Sequence, residues 1–225
     1  MKKRTTAWLM LVFLASGFAA LLYQVVWQRS LFAIYGINIE SVTVVVTAFM
    51  LGLGFGSFAG GAISKNPERP ALLLFGIVEL SIGAFGLISL PLFHWVGAFT
   101  LDLPPIATAI VTFLLVLFPT MLMGGTLPLL VAYFVRKNGN VGKSVGQLYF
   151  VNTLGSAIAS IASVMVMMGP LGELNTVRSA AAVNAIVGLG ALALYTRERR
   201  APSKEPKLQA DGSAESGTSQ MSEAE

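Results

Sequence analysis

Cysteine is absent from this chain, histidine occurs once, and charged side chains make up only 12% of its 225 residues. The missing cysteine excludes disulfides, thiolate metal sites and cysteine nucleophiles. The single histidine, His94, has no cysteine or carboxylate beside it in sequence, so a histidine-based metal centre is not expected. Apolar and polar residues do not alternate along the hydrophobic stretches, which excludes a transmembrane β-barrel. No nucleophile, base and orienting group can be brought together from what remains, and standalone catalysis is not expected.

What the chain does have is hydrophobic residues, 55% of the total. They gather into six runs at about 6–27, 41–64, 71–95, 104–135, 146–168 and 177–196, each near or above the ~20 residues that cross a bilayer as helix. The expected fold is an all-α, multi-pass membrane protein: a six-helix transmembrane domain over 1–196, followed by a cytoplasmic tail over 197–225. The tail is rich in Ala, Pro, Ser, Glu and Gly and lacks the apolar residues to build a core, so disorder is expected there. Lys2, Lys3 and Arg4 before the first run resemble a signal peptide. The run is longer than a signal core, however, and Tyr23-Gln24-Val25-Val26-Trp27-Gln28-Arg29 follows where a small-residue cleavage site would stand, so it reads as a retained helix.

The fifteen Lys and Arg residues orient the spans. Thirteen (Lys2, Lys3, Arg4, Lys65, Arg69, Arg136, Lys137, Lys143, Arg197, Arg199, Arg200, Lys204 and Lys207) fall on one side and two, Arg29 and Arg178, on the other. That asymmetry puts both termini in the cytoplasm. Basic residues beside anionic lipid headgroups account for the positive net charge, and no nucleic-acid partner is implied.

Small residues mark packing faces. Gly52, Gly56 and Gly60 recur every fourth residue in the second run, and Gly155, Ala159 and Ser163 do so in the fifth, a spacing that lets helices approach closely. In the third run Gly76, Glu79, Gly83 and Gly86 share one helical face. Glu79 is the one formally charged side chain well inside an apolar run. A carboxylate in hydrocarbon costs about 2.5 kcal/mol or more on insertion scales, so it faces the bundle interior and finds a partner. Two readings stand for it: a proton or cation site, or a buried, neutral acid held by hydrogen bonds.

Other polar groups are candidates to join it. Gln24 and Gln28 lie one turn apart on the first helix, and Asn152 lies early in the fifth span; they either complete a polar cluster with Glu79 or bridge helices. Tyr23 and Arg29 are further ligand-facing candidates, but with Trp27 they fit better an interfacial aromatic belt with a snorkelling arginine. His94 and Trp95 end the third span in the same manner. The long fourth run carries Pro119, Gly124, Gly125 and Pro128, which should kink or break its helix and free carbonyls near Leu115 and Gly124. Such a break serves either a ligand site or packing alone. Gly52-Leu53-Gly54-Phe55-Gly56 is a packing motif and no nucleotide loop, because no strand precedes it and no acid follows about 20 positions on. No cofactor is expected.

Three long segments, residues 17–29, 118–130 and 146–156, together with Ile77-Val78-Glu79-Leu80-Ser81-Ile82-Gly83, resemble the membrane domain of the bacterial fused transporter-like/spermidine synthase family. The resemblance covers residue 10 to about 195 in order. It implies a helical region that precedes a cytoplasmic aminopropyltransferase-like domain and looks like half of a major-facilitator transporter, three helices plus three. The residues after Arg197 carry neither the Gly-rich nucleotide loop nor the acids that would bind decarboxylated S-adenosylmethionine and a polyamine, so the family's chemistry is not expected of this chain. Gly56 to Arg69 sits where such transporters carry a gating loop, with Ser64 near the position of its aspartate.

The resemblance implies a bacterial inner-membrane subunit working with a separately encoded synthase-like or transport partner. Glu79, Gln24 and Asn152 would offer it a pocket for a cation, a polyamine or a lipid amine. The alternatives are a small proton-coupled transporter acting as a homodimer and a structural helper of a membrane complex. Membrane lipids are partners under all three.

Overall fold

The computed structural model describes residues 3–37, 39–100 and 102–200. Among the described residues the chain is helical throughout, with no strand: α1 Lys3–Tyr35, α2 Ile39–Ser64, α3 Ala71–Thr100, α4 Pro105–Asn138, α5 Val141–Ala162, a π-helical turn Ser163–Leu171 and α6 Gly172–Arg200. Five helical stretches are long and apolar enough to cross a membrane, counting Val141–Arg200 as one run of 60 residues. Residues 197–200 close α6, and the remainder of the expected tail lies outside the described residues.

Each helix extends beyond its apolar run at one end or both. Polar termini are held by local chemistry: Gly139, at φ 71°, ends α4 in the left-handed conformation that glycine adopts without a Cβ penalty. Asn140 then caps α5, its side chain accepting from the Lys143 amide at 2.9 Å. The residues between the runs expected at 146–168 and 177–196 are helical as well. The chain stays helical through Pro170 by widening to a π turn, and the reversal comes at Gly172, φ 71°.

Successive helices alternate in direction. Arg136 near the end of α4 donates to the carbonyls of Ser64, Asn66 and Arg69 in the α2–α3 turn, and Lys137 pairs with Glu198 at the end of α6. At the opposite end Arg29 pairs with Glu173, early in α6, and Tyr35 bonds Thr100.

α2 and α4 form the most extensive pair. Gly52 lies against the Thr120 side chain, Gly56 against the Met121 backbone, Gly60 against Gly125 and Pro128, and Gly124 against the Leu53 backbone. Lipid tails are as apolar as leucine, so helices in a membrane gain little by hiding hydrophobic surface from one another. Close backbone contact supplies the attraction instead. Gly155 uses the same device on α5, seated on the Leu14 backbone of α1.

The expected break in α4 does not occur: one helix of 34 residues runs through Pro119 and Pro128. Each proline leaves the carbonyl four residues earlier without its helical donor. Ser57 of α2 donates to Gly124 O at 3.0 Å, replacing the bond lost at Pro128. Beside Pro119, Thr120 Oγ1 lies 2.9 Å from both Val116 O and Leu117 O. With Gly124 O satisfied this way, Pro128 does not force the helix open.

Tyr23 and Trp27 are also corrected. Both are 0% exposed and belong to the core, because α1 continues two turns past Trp27 to Tyr35. The Trp27 ring meets Phe49, Phe85 and Phe93 at centroid distances of 6.2, 5.5 and 5.9 Å. Its Nε1 donates to Ser89 Oγ at 2.9 Å, which satisfies the one polar atom of the buried indole. His94 and Trp95, in the last two turns of α3, are exposed.

Candidate functional site

The glycine-lined face of α3 is where three helices meet. Gly76 packs against Gly188 and Leu192 of α6, Gly83 against Ala181 and Asn184 of the same helix, and Gly86 against the Tyr23 ring of α1. Glu79 lies on that face, and without side chains at the glycines α1 and α6 close directly over it. The carboxyl group is 0% exposed.

Two donors hold it. Ser16 Oγ of α1 donates to Glu79 Oε1 at 2.5 Å, and Asn184 Nδ2 of α6 donates to Glu79 Oε2 at 2.6 Å. No cation stands opposite: the ion pairs among the described residues are Arg29–Glu173 and Lys137–Glu198. A buried acid with hydrogen-bond donors and no counter-charge can take up a proton or a small cation without displacing a resident one. Two further polar atoms are buried near it without a hydrogen-bond partner, Asn184 Oδ1 and Tyr23 Oη. The Tyr23 phenol lies on Gly86, two turns along α3 from Glu79, within electrostatic reach of the carboxyl. The Glu79 carboxyl, the Ser16 hydroxyl and the Asn184 amide oxygen form an oxygen-rich set of the kind that suits hard cations.

The other sequence candidates lie elsewhere. Gln24 and Gln28 are half-buried on α1, and neither bonds Glu79. Asn152 sits where α5 crosses α1, its carbonyl and side chain against Gly17; Ser156 Oγ bridges Gly17 O at 3.0 Å and Asn152 O at 3.1 Å. Asn152 therefore joins helices on a different face of α1 from Ser16. Arg29 is at the bundle end, its Nε 3.0 Å from Glu173. Among these candidates only Tyr23 accompanies Glu79.

Ser16 and Asn184 were missed. Asn184 had a visible signal, being the one amide side chain in the 177–196 run, where a polar side chain without a partner would be costly. Ser16 is one of many small residues in its helix and nothing local distinguishes it. Compared with protein-family models, with curated proteins and with solved structures, the chain finds no match.

Proposed function

We propose that this chain is a bacterial inner-membrane protein of six spans with both termini cytoplasmic, serving as the membrane subunit of a separately encoded synthase-like or transport partner. Its working group is Glu79, which binds a small cation or a proton. Six spans are supported by the alternating helix directions and by the reversal at Gly172, which divides the 60-residue run into two crossings. Orientation is supported by the basic residues at the Arg136–Ser64 end of the bundle.

The observation that carries the reading is the fully buried Glu79 carboxyl held by Ser16 and Asn184 with no cation opposite. Both carboxyl oxygens are engaged and enclosed, which favours a small cation over an extended polyamine or a lipid amine. A proton-coupled transporter is the second reading. It is favoured by the position of Glu79 between α1 and α6, since protonation there alters the contacts of three helices at once.

Replacing Glu79 by Gln and titrating the detergent-purified protein with monovalent cations and protons decides the matter. The first reading expects wild-type binding that disappears in the variant; equal binding in the two proteins overturns the site. Proton-driven flux of the purified protein in liposomes, lost in the same variant, selects transport.

A further inference from the structure

A second site lies at the opposite end of α1 from the basic turns. Here α1, α2, α3 and α4 surround a half-open cavity of about 320 Å³, within the size range of small-molecule sites. Leu31, Ile34 and Val44 give it apolar walls, the hydroxyls of Tyr35, Thr100 and Thr108 in its lining bond within the protein, and Glu40 brings a carboxylate to it.

Thr112 is the informative residue. It lines the cavity, it is 4% exposed, and its Oγ1 has no hydrogen-bond partner. Other threonines of the bundle bond the carbonyl one turn back, as Thr100 does to Val96 O and Thr120 to Val116 O. Thr112 does not, and a buried hydroxyl left unpaired is destabilising. An acid in the first turn of α2 is accounted for by the helix dipole alone. The dipole does not account for a cavity or for the unpaired, buried hydroxyl in its wall.

Charge selects the ligand. Glu40 takes part in neither ion pair of the described residues, whereas Arg29, the basic residue toward this end on α1, is already matched by Glu173. One free carboxylate, one free hydroxyl and apolar walls are complementary to one positive charge that donates hydrogen bonds and carries a short hydrocarbon. We propose that this cavity binds a primary ammonium group with a short apolar chain, its charge on Glu40 and one N–H on the Thr112 hydroxyl, which turns into the cavity as the ligand enters. The ammonium comes from a free monoamine or from the headgroup of an aminophospholipid. This site is separate from Glu79 and stands or falls without it.

The test titrates the full chain in detergent with n-butylammonium chloride by calorimetry, with tetramethylammonium, which donates no hydrogen bond, as comparison. Saturable n-butylammonium binding is expected. Glu40→Gln should weaken it at least about tenfold, and near-isosteric Thr112→Val should weaken it several-fold, by loss of hydrogen bonds to a charged group. Glu68→Gln, which removes an exposed carboxylate at the far end, should change nothing. Native mass spectrometry of protein extracted from phosphatidylethanolamine vesicles and from phosphatidylglycerol vesicles distinguishes the sources. Retained phosphatidylethanolamine, lost in Glu40→Gln, assigns the site to the lipid headgroup, whereas n-butylammonium binding without lipid retention assigns it to a free amine. Neither signal, equal affinity for tetramethylammonium, or wild-type binding by both variants overturns the proposal.

Discussion

Asn184 of α6 donates a hydrogen bond to Glu79 of α3 across 2.6 Å, joining residues 105 positions apart in the chain. With Ser16 donating from α1, the carboxyl becomes a polar link shared by all three helices, α1, α3 and α6.

Removing that link strands its donors. Glu79→Ala leaves the Ser16 hydroxyl and the Asn184 amide buried and unpaired, at about 1–3 kcal/mol each. Glu79→Gln should melt close to wild type, because a hydroxyl and an amide can each donate or accept. Thermal unfolding followed by circular dichroism in detergent measures both, and a wild-type midpoint for Glu79→Ala would show that the link contributes nothing to stability.

Two glycines of α2 should respond oppositely to the same methyl group. A Cβ at Gly56 would overlap the Met121 backbone, whereas Gly54 faces open space. Gly56→Ala should therefore destabilise by about 1–3 kcal/mol through overpacking, and Gly54→Ala should be neutral or slightly stabilising. Similar melting shifts for the two would mean that α2 and α4 do not approach as closely as described.

The tryptophans report on the core. Trp27 is 0% exposed and Trp95 is 69% exposed. A variant retaining only Trp27 should fluoresce at shorter wavelength and resist acrylamide, while one retaining only Trp95 should be quenched readily. Trp27→Ala should cost about 3–5 kcal/mol. Ready quenching of Trp27 would return it to the headgroup region.

Because the chain has no native cysteine, single cysteines report topology without background. In intact cells a membrane-impermeant maleimide should label Asp102→Cys and Gly169→Cys and should reach Glu68→Cys only after permeabilisation. Protection of Gly169→Cys together with labelling of Asp102→Cys would reduce Val141–Arg200 to a single crossing.

Much of this was legible from local sequence. Run length and continuous apolarity made the chain helical, with helices long and apolar enough to cross a membrane, because a helix satisfies its own backbone wherever it sits. The periodic glycines of α2 and the face shared by Gly76, Glu79 and Gly83 marked buried surfaces, since side-chain direction follows from helical pitch. Three outcomes depended on contacts between helices. Trp27 left the interface for the core because its helix runs on and aromatic neighbours from α2 and α3 surround it. Pro128 left α4 unbroken because the Ser57 hydroxyl of α2 meets the Gly124 carbonyl that it frees. Glu79 took Ser16 and Asn184 where Gln24 and Asn152 had been expected. Pitch tells which way a side chain points along its own helix, but its partner is chosen by the register and rotation of a different helix, and those are set only when the whole bundle packs.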